Sequence, residues 1–309
     1  MERFEASSPS ETLESRIVKT LTIADNWGYG LRLEDLARML YGGPEDVDRV
    51  RMAAARTTEI SEMDGFFVLQ GRSDLARKSV GRAASNGVLH RRYEELAEAF
   101  STDLLRHAPF IRIICVAGSL ASGGLAKGDD VDFDIVTSPE TKYLAYLLGL
   151  GLGLWYTIRR GAEFHGRRVR RRLSKVTCMN VIWEEDRTRP FERRDEFLAF
   201  ELLRTVVFVG AASWSELLRQ NAWVRHHFPQ LLETPLVDRI QRPSPSGLGL
   251  LLLGIASRRR SRRIADVLSR WLTHIPYSIV RYSRRRNLAA AERQRFLQRV
   301  KYPYEFFQD

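Results

Sequence analysis

The chain has 309 residues, of which 44% are hydrophobic and 28% charged, a balance that excludes a disordered or fibrous protein. The formal net charge is +11, and 43 of the 49 basic residues are arginine. Residues 245–309 alone carry fourteen basic and four acidic side chains. We therefore expect a phosphate-bearing or polyanionic partner, with the strongest attraction near the C-terminal end.

The cysteines and the first residues indicate a cytoplasmic protein. Cys115 and Cys178, the two cysteines, lie in apolar runs typical of strands, so we expect both to be reduced core residues. The first fifteen residues are polar and acidic and contain no apolar run, which is not the pattern of a secretory signal.

Two apolar stretches, residues 143–156 and 248–256, are each shorter than the roughly 18 to 20 residues that cross a bilayer, so we expect no membrane span. The second stretch is followed by the basic run 258–263. This combination suits either a helix on a membrane surface or a buried helix with a solvated basic end. The buried helix is the commoner arrangement, and we expect it here.

Residues 1–72 have the element order of a winged helix. Apolar side chains at helical spacing predict helices over residues 10–24 and 33–40, and Gly43-Pro44 begins a third. Two β-prone segments around Asp64-Gly65 predict a hairpin. Arginines on the third helix would bind nucleic acid, whereas many such modules only bind a protein partner, and the sequence leaves both roles open.

Three further regions follow. Residues 73–108 predict a connecting helix, residues 109–190 a core in which strands and helices alternate, and residues 191–309 a helical, basic C-terminal region. The fold class that we expect is therefore α/β (α+β), with a mixed sheet in the core.

Within the core, strands are predicted at residues 110–117, 131–137 and 176–183. Ser138 is expected to cap a helix that has Pro139 in its first turn and runs through Leu154. The region from Pro190 to Leu232 has a helical pattern.

The segment between the first two core strands carries the residues suited to chemistry. The first strand ends at Gly118-Ser119, where a missing side chain and a small hydroxyl let backbone amides approach an anion. Asp130 and Asp132 follow on the next strand, two residues apart, so both carboxylates point to the same face and can share hard cations. Two Mg²⁺ or Mn²⁺ ions there would polarise a nucleotide α-phosphate and lower the pKa of an attacking hydroxyl.

At these residues the sequence resembles the polymerase-β-like nucleotidyltransferase superfamily. Its signature is a hydrophobic residue, Gly, then Gly or Ser, a spacer of about ten residues, and Asp-hydrophobic-Asp-hydrophobic. The signature positions are filled by Gly118, Ser119, Asp130, Val131, Asp132 and Phe133. The resemblance implies that Gly118 and Ser119 hold a triphosphate and that Asp130 and Asp132 are the catalytic metal ligands. Ser122 and Lys127, in the spacer, are further candidate nucleotide ligands.

The superfamily often has a third carboxylate on a neighbouring strand, and here that position holds Asn180. Asp134 lies on the same face as Asp130 and Asp132 and is a candidate third carboxylate, one pleat deeper along the strand. Alternatively, Asp132 and Asp134 are the true pair. The spacing favours Asp130 and Asp132.

The resemblance implies transfer of a nucleoside monophosphate, NMP or dNMP, from a nucleoside triphosphate to a hydroxyl. The basic C-terminal region favours a nucleic acid or oligonucleotide acceptor. Tyr302 and Tyr304, near the end of the chain, are candidate protein acceptors. A role in phage defence would be in keeping with the superfamily. Two alternatives stay open: single-nucleotide modification of a protein or tRNA, and a nucleotide-sensing regulator that binds DNA.

Overall fold

The computed structural model describes residues 11–84, 86–165, 175–233 and 235–285. Within these residues the chain forms two compact units, of which the first contains residues up to 84 together with 194–203 and 222–233, and the second contains the remainder. The protein is α+β, with a mixed four-stranded sheet in the second unit.

The N-terminal part of the first unit is formed by α1 (Leu13–Trp27), β1 (Leu31–Arg32), α2 (Leu33–Arg38), α3 (Val47–Arg56), β2 (Ile60–Met63), β3 (Phe66–Leu69) and α4 (Ser73–Ala84). The strands of this part pair antiparallel in the order β1-β3-β2. Asp64 (φ 50°) and Gly65 (φ 77°) form the turn between β2 and β3, which confirms the predicted hairpin and matches the positive φ angles of a type I′ turn.

The rest of the described chain forms α5 (Asn86–His107), β4 (Ile111–Ala117), α6 (Gly118–Ala121), β5 (Val131–Thr137), α7 (Lys142–His165), β6 (Thr177–Glu184), α8 (Glu196–Arg204), β7 (Val206–Val209), α9 (Ala211–Gln220), α10 (Gly247–Ser257) and α11 (Arg259–Arg285). The three predicted core strands are therefore confirmed as β4, β5 and β6. The helical pattern from Pro190 to Leu232 is wrong at Val206–Val209, because these β-branched residues and Phe208 form β7 beside β4.

The first unit is completed by two segments from the second half of the chain. Gln230 donates from Nε2 to the carbonyl of Leu40 at 3.2 Å, and the hydroxyl of Tyr41 lies 3.1 Å from Nδ1 of His227. Phe228 is fully buried and packs edge-on against the Tyr41 ring. These contacts follow α2 directly, so residues near 230 fix the end of that helix.

The sheet of the second unit has the strand order β6-β5-β4-β7. β5 pairs antiparallel with β4 and parallel with β6, while β7 pairs antiparallel with the other side of β4. The central strands are apolar on both faces and bury residues such as Ile114, Val116, Phe133 and Ile135. Asp130 and Asp132 lie at the start of β5, beside the end of β4, because these two strands run in opposite directions.

Helix α7 packs closely on β6 because two of its glycines face the strand. A Cβ at Gly153 would lie 2.8 Å from Oγ1 of Thr177, and one at Gly149 would lie 2.6 Å from Sδ of Met179. Gly151, between them, faces open space. The helix begins at Lys142 rather than at Ser138, whose hydroxyl donates to the carbonyl of Phe110 instead of capping α7.

Candidate active site

The strand-to-turn transition after β4 gives the site its shape. Gly118 has a φ of 64°, in the left-handed region that favours glycine, and begins the one-turn helix α6. The carbonyl of Ser119 accepts hydrogen bonds from the Ser122 hydroxyl at 3.1 Å and from the Gly124 amide at 3.1 Å. These bonds fold residues 118–124 into a compact turn, in which Ser119 and Ser122 are partly buried.

Asp132 explains why residue 118 is glycine. Ala117 and Asp132 are cross-strand partners in the antiparallel pair β4 and β5. A Cβ at Gly118 would overlap Oδ2 of the Asp132 carboxylate. The sequence predicts that this glycine lets an anion approach the backbone, whereas the structure shows that it first makes room for a carboxylate of the protein itself.

Asp130, Asp132 and Cys178 form a cluster whose side-chain ligand atoms all lie within 4.8 Å of one another. Cys178 is the partner of Asp132 across the parallel pair β5 and β6, and all three side chains are partly buried. The set fits a divalent cation, since two carboxylates are ligands for hard cations such as Mg²⁺ and Mn²⁺ and a thiolate adds affinity for softer metals such as Zn²⁺ or Cd²⁺. The sequence predicts the two aspartates but not Cys178, which it assigns to the core. Cys178 comes two residues before Asn180 on a predicted strand, and residues two apart on a strand share a face. This spacing was the signal in the sequence that could have linked Cys178 to the site.

Asp134 is buried deeper than this cluster and bonds to Asn180. Only 2% of Asp134 is exposed, and its Oδ1 accepts a hydrogen bond of 2.8 Å from Nδ2 of Asn180. The pairing of β5 with β6 shifts at this point, from Phe133 opposite Met179 to Asp134 opposite Val181, so that β6 carries one extra residue, Asn180. In the described residues the ligand cluster contains Cys178 and not Asp134.

The thiol of Cys115 is affected by this buried carboxylate. Cys115 is fully buried on β4, opposite Asp134. Burial raises the pKa of this thiol well above its usual value, and the charge of Asp134 raises it further. We therefore expect the thiol of Cys115 to be unreactive. Cys178, in contrast, is only partly buried.

Tyr93 of α5 holds the turn that leads to the two aspartates, a role that no local sequence pattern indicates. Its hydroxyl donates to the carbonyl of Asp129 at 2.9 Å and accepts from the amide of Gly128 at 3.3 Å. Burial raises the pKa of Tyr93 to about 12, and the charges of Asp129 and Asp130 add to the shift. The phenol therefore stays protonated and able to donate. A further bond of 2.9 Å, from the Ala126 amide to Oδ2 of Asp129, closes the same turn.

The remaining candidate residues fall into two groups. Lys127 is exposed on the turn that Tyr93 holds, and Ser122 closes the turn after β4, so both flank the cluster along the chain. Tyr302 and Tyr304 lie outside the described residues.

Comparison with protein-family models, with curated proteins and with solved structures finds no match to this chain. A function therefore has to follow from the chemistry of the site residues themselves.

Proposed function

We propose that the chain is a metal-dependent nucleotidyltransferase. The supporting observation is that the turn at Gly118-Ser119 lies directly against the carboxylate of Asp132, which clusters with Asp130 and Cys178. A small-residue turn next to clustered acidic ligands suits a substrate that carries both phosphates and cations, as a nucleoside triphosphate with Mg²⁺ does.

Asp130 and Asp132 would hold the divalent cations, with Cys178 as a third ligand. Such cations neutralise phosphate charge and lower the pKa of an attacking hydroxyl. The turn at residues 118–122, which the Ser122 hydroxyl closes, binds phosphate oxygens through its amides and the hydroxyl of Ser119. Lys127 adds a positive charge that can reach a terminal phosphate. The contribution of the chain is thus positioning and charge complementarity, which are the main requirements of phosphoryl-type transfer.

The acceptor that we favour is a hydroxyl of an oligonucleotide or of a protein, because the chain carries a net charge of +11 and this charge attracts polyanions. Growth of an oligonucleotide, addition of one nucleotide to tRNA or protein, and modification of Tyr302 or Tyr304 differ in product. A ladder, a single addition and label on the chain itself distinguish them.

The test is incubation of the full chain with each α-³²P-labelled NTP and dNTP in Mg²⁺ or Mn²⁺, with products resolved on nucleotide and protein gels. We expect transfer by the native chain and a loss of at least about a hundredfold in Asp130→Ala and Asp132→Ala. Asp186→Ala, which removes an exposed carboxylate after β6, is the matched control and should retain activity. Equal transfer by Asp132→Ala and Asp186→Ala would overturn the proposal.

A second candidate function concerns the first unit. We propose that its N-terminal part is a winged helix that binds nucleic acid, which the order α1-β1-α2-α3-β2-β3 and the antiparallel sheet support. Arg51 and Arg56 are exposed on α3. In the full chain, Arg51→Glu with Arg56→Glu should weaken binding of duplex DNA by about tenfold or more in an anisotropy titration while nucleotide transfer is retained. Unchanged DNA affinity would leave a protein partner as the role of this surface.

A further inference from the structure

Helix α11 turns its large apolar side chains outward. The exposed fractions of these side chains range from 47% to 74%, and their spacing of three or four residues places them along one side of the helix. They are Ile264, Val267, Leu268, Trp271, Leu272, Ile275, Ile279 and Tyr282. A helix of a water-soluble domain normally points such residues toward the core.

The side of α11 that faces the protein is small and polar. Ser269 and Thr273 are 3% and 1% exposed. Oδ1 of Asp266 accepts hydrogen bonds from the backbone amides of Tyr143 at 2.7 Å and Leu144 at 2.9 Å, at the start of α7. These bonds fix the rotation of α11 about its axis, so the outward direction of the apolar side is a consequence of specific polar contacts.

Helix α10 shows the same property. A Cβ at Gly249 would overlap the carbonyl oxygen of Arg106, and Ala256 is 6% exposed, so small residues face the protein. Leu248, Leu250, Leu251 and Leu253 are instead 40% to 61% exposed. The sequence-based expectation of a buried helix at residues 248–256 is therefore wrong, because the buried positions of α10 are held by Gly249 and Ala256.

Charge accompanies this apolar surface. Residues 247–285, which form α10 and α11, contain nine arginines and one acidic residue, Asp266, which already accepts the two amide bonds. Arg258, Arg259, Arg260 and Arg263 are exposed at the junction of the two helices. A second copy of the chain packed on this surface would bring the same arginines together, whereas an anionic surface would neutralise them.

We propose that α10 and α11 bind the surface of an anionic lipid bilayer, lying in its interface. The outward leucines, isoleucines and Trp271 would enter the boundary between headgroups and acyl chains, and the arginines would contact lipid phosphates. No helix in the described residues is long and apolar enough to cross a membrane, so the attachment is to one surface. This inference is independent of the proposed transfer reaction.

The test is flotation of the full chain with vesicles of phosphatidylcholine alone or with about a third phosphatidylglycerol, at low and physiological salt. Leu268→Gln, Trp271→Ser and Ile275→Gln are combined in one variant, since all three side chains are 58% to 74% exposed. Val88→Gln with Val237→Gln, at sites 75% and 77% exposed, is the matched apolar control. Arg259→Gln, Arg260→Gln and Arg263→Gln together form the charge variant. Circular dichroism verifies that each variant is folded.

We expect the native chain and the apolar control to float with anionic vesicles, and the α11 variant to lose at least about tenfold in partition coefficient. The charge variant should bind more weakly and lose the salt dependence. Equal flotation of the α11 variant and the native chain would overturn the proposal. A native chain that floats with neither kind of vesicle would also overturn it. In that case the apolar surface has another occupant: a second copy, if the α11 substitutions dissociate a dimer, or residues 286–309 of the same chain.

Discussion

At the scale of single residues, Gly118 meets two requirements at once. Its φ of 64° favours glycine, and the Asp132 carboxylate occupies the place of a side chain. We predict that Gly118→Ala lowers the free energy of unfolding by about 1 to 3 kcal/mol and transfer activity by at least about tenfold, because the new methyl group displaces Asp132. Chemical denaturation and the labelled-nucleotide assay measure the two effects.

Gly65→Ala is the control for backbone strain. Gly65 also has a positive φ, of 77°, but a Cβ there would contact nothing within 4 Å. The Gly65→Ala substitution should lower the free energy of unfolding by about 1 kcal/mol and leave nucleotide transfer unchanged. If both variants kept full activity, the contact between Gly118 and Asp132 would have no role in the site.

The two cysteines allow a test of the ligand cluster by thiol chemistry. Cys178 is partly buried beside Asp132, whereas Cys115 is fully buried with a raised thiol pKa. We predict that iodoacetamide modifies Cys178 and leaves Cys115 intact in the folded chain, and that saturating Mn²⁺ or Cd²⁺ slows modification of Cys178 by about tenfold or more. Peptide mass spectrometry measures both sites in one sample.

Asp132→Ala should remove most of this protection, because it removes a neighbouring ligand. Cys115 remains the internal control for unfolding, since it becomes reactive only when the core opens. If iodoacetamide modified Cys178 at the same rate with and without metal, Cys178 would not be a ligand of the proposed cation site.

At the scale of secondary structure elements, α7 offers a comparison within one helix. Gly153→Ala should lower the free energy of unfolding by about 1 to 3 kcal/mol, because its Cβ would lie 2.8 Å from the buried side chain of Thr177. Gly151→Ala faces open space and should raise it by about 0.5 to 1 kcal/mol through helix propensity. In urea denaturation we expect the two changes in the free energy of unfolding to have opposite signs. The same sign for both variants would mean that α7 does not pack on β6 through Gly153.

Local sequence patterns were sufficient for the strands that carry the site and for the spacing from Gly118 to Asp132, because both depend on neighbouring residues. They were insufficient for Cys178 and Tyr93, which reach the site through strand pairing and through a helix about 35 residues earlier in the chain. The start of α7 illustrates the same limit. Ser138 has the chemistry of a cap, yet the amides at the start of the helix bond to Asp266, more than 120 residues away.

At the scale of the whole molecule, two carboxyl groups make stability depend on pH. Burial raises the pKa of Glu184, and the charge of Asp266 raises it further, while burial raises the pKa of Asp266 itself. Each carboxyl group therefore binds more protons in the folded than in the unfolded state at a pH just above its ordinary pKa, which is 4.5 for Glu184 and 3.8 for Asp266. Their contribution to stability is fully present below those values and is lost as pH rises through the raised pKa values.

We predict that Asp266→Asn reduces this loss, since it removes one of the two groups and lowers the pKa of the other. Measured by calorimetry, the Tm of the variant at about pH 7, relative to its Tm at about pH 4, should be higher than the same difference for the native chain. Asn can still accept the bonds from Tyr143 and Leu144. Glu98→Gln, on the exposed side of α5, is the control and should leave the difference unchanged.

The interrupted course of the first unit also affects the order in which the protein acquires structure during synthesis. Leu40 and Tyr41 bond to Gln230 and His227, so the N-terminal module lacks these partners until residue 230 has left the ribosome. By then β4 to β7, with the whole ligand cluster, have already emerged. The strands of the sheet that carries the candidate active site are thus synthesised before the first unit can be completed, so folding of the N-terminal residues does not finish ahead of them.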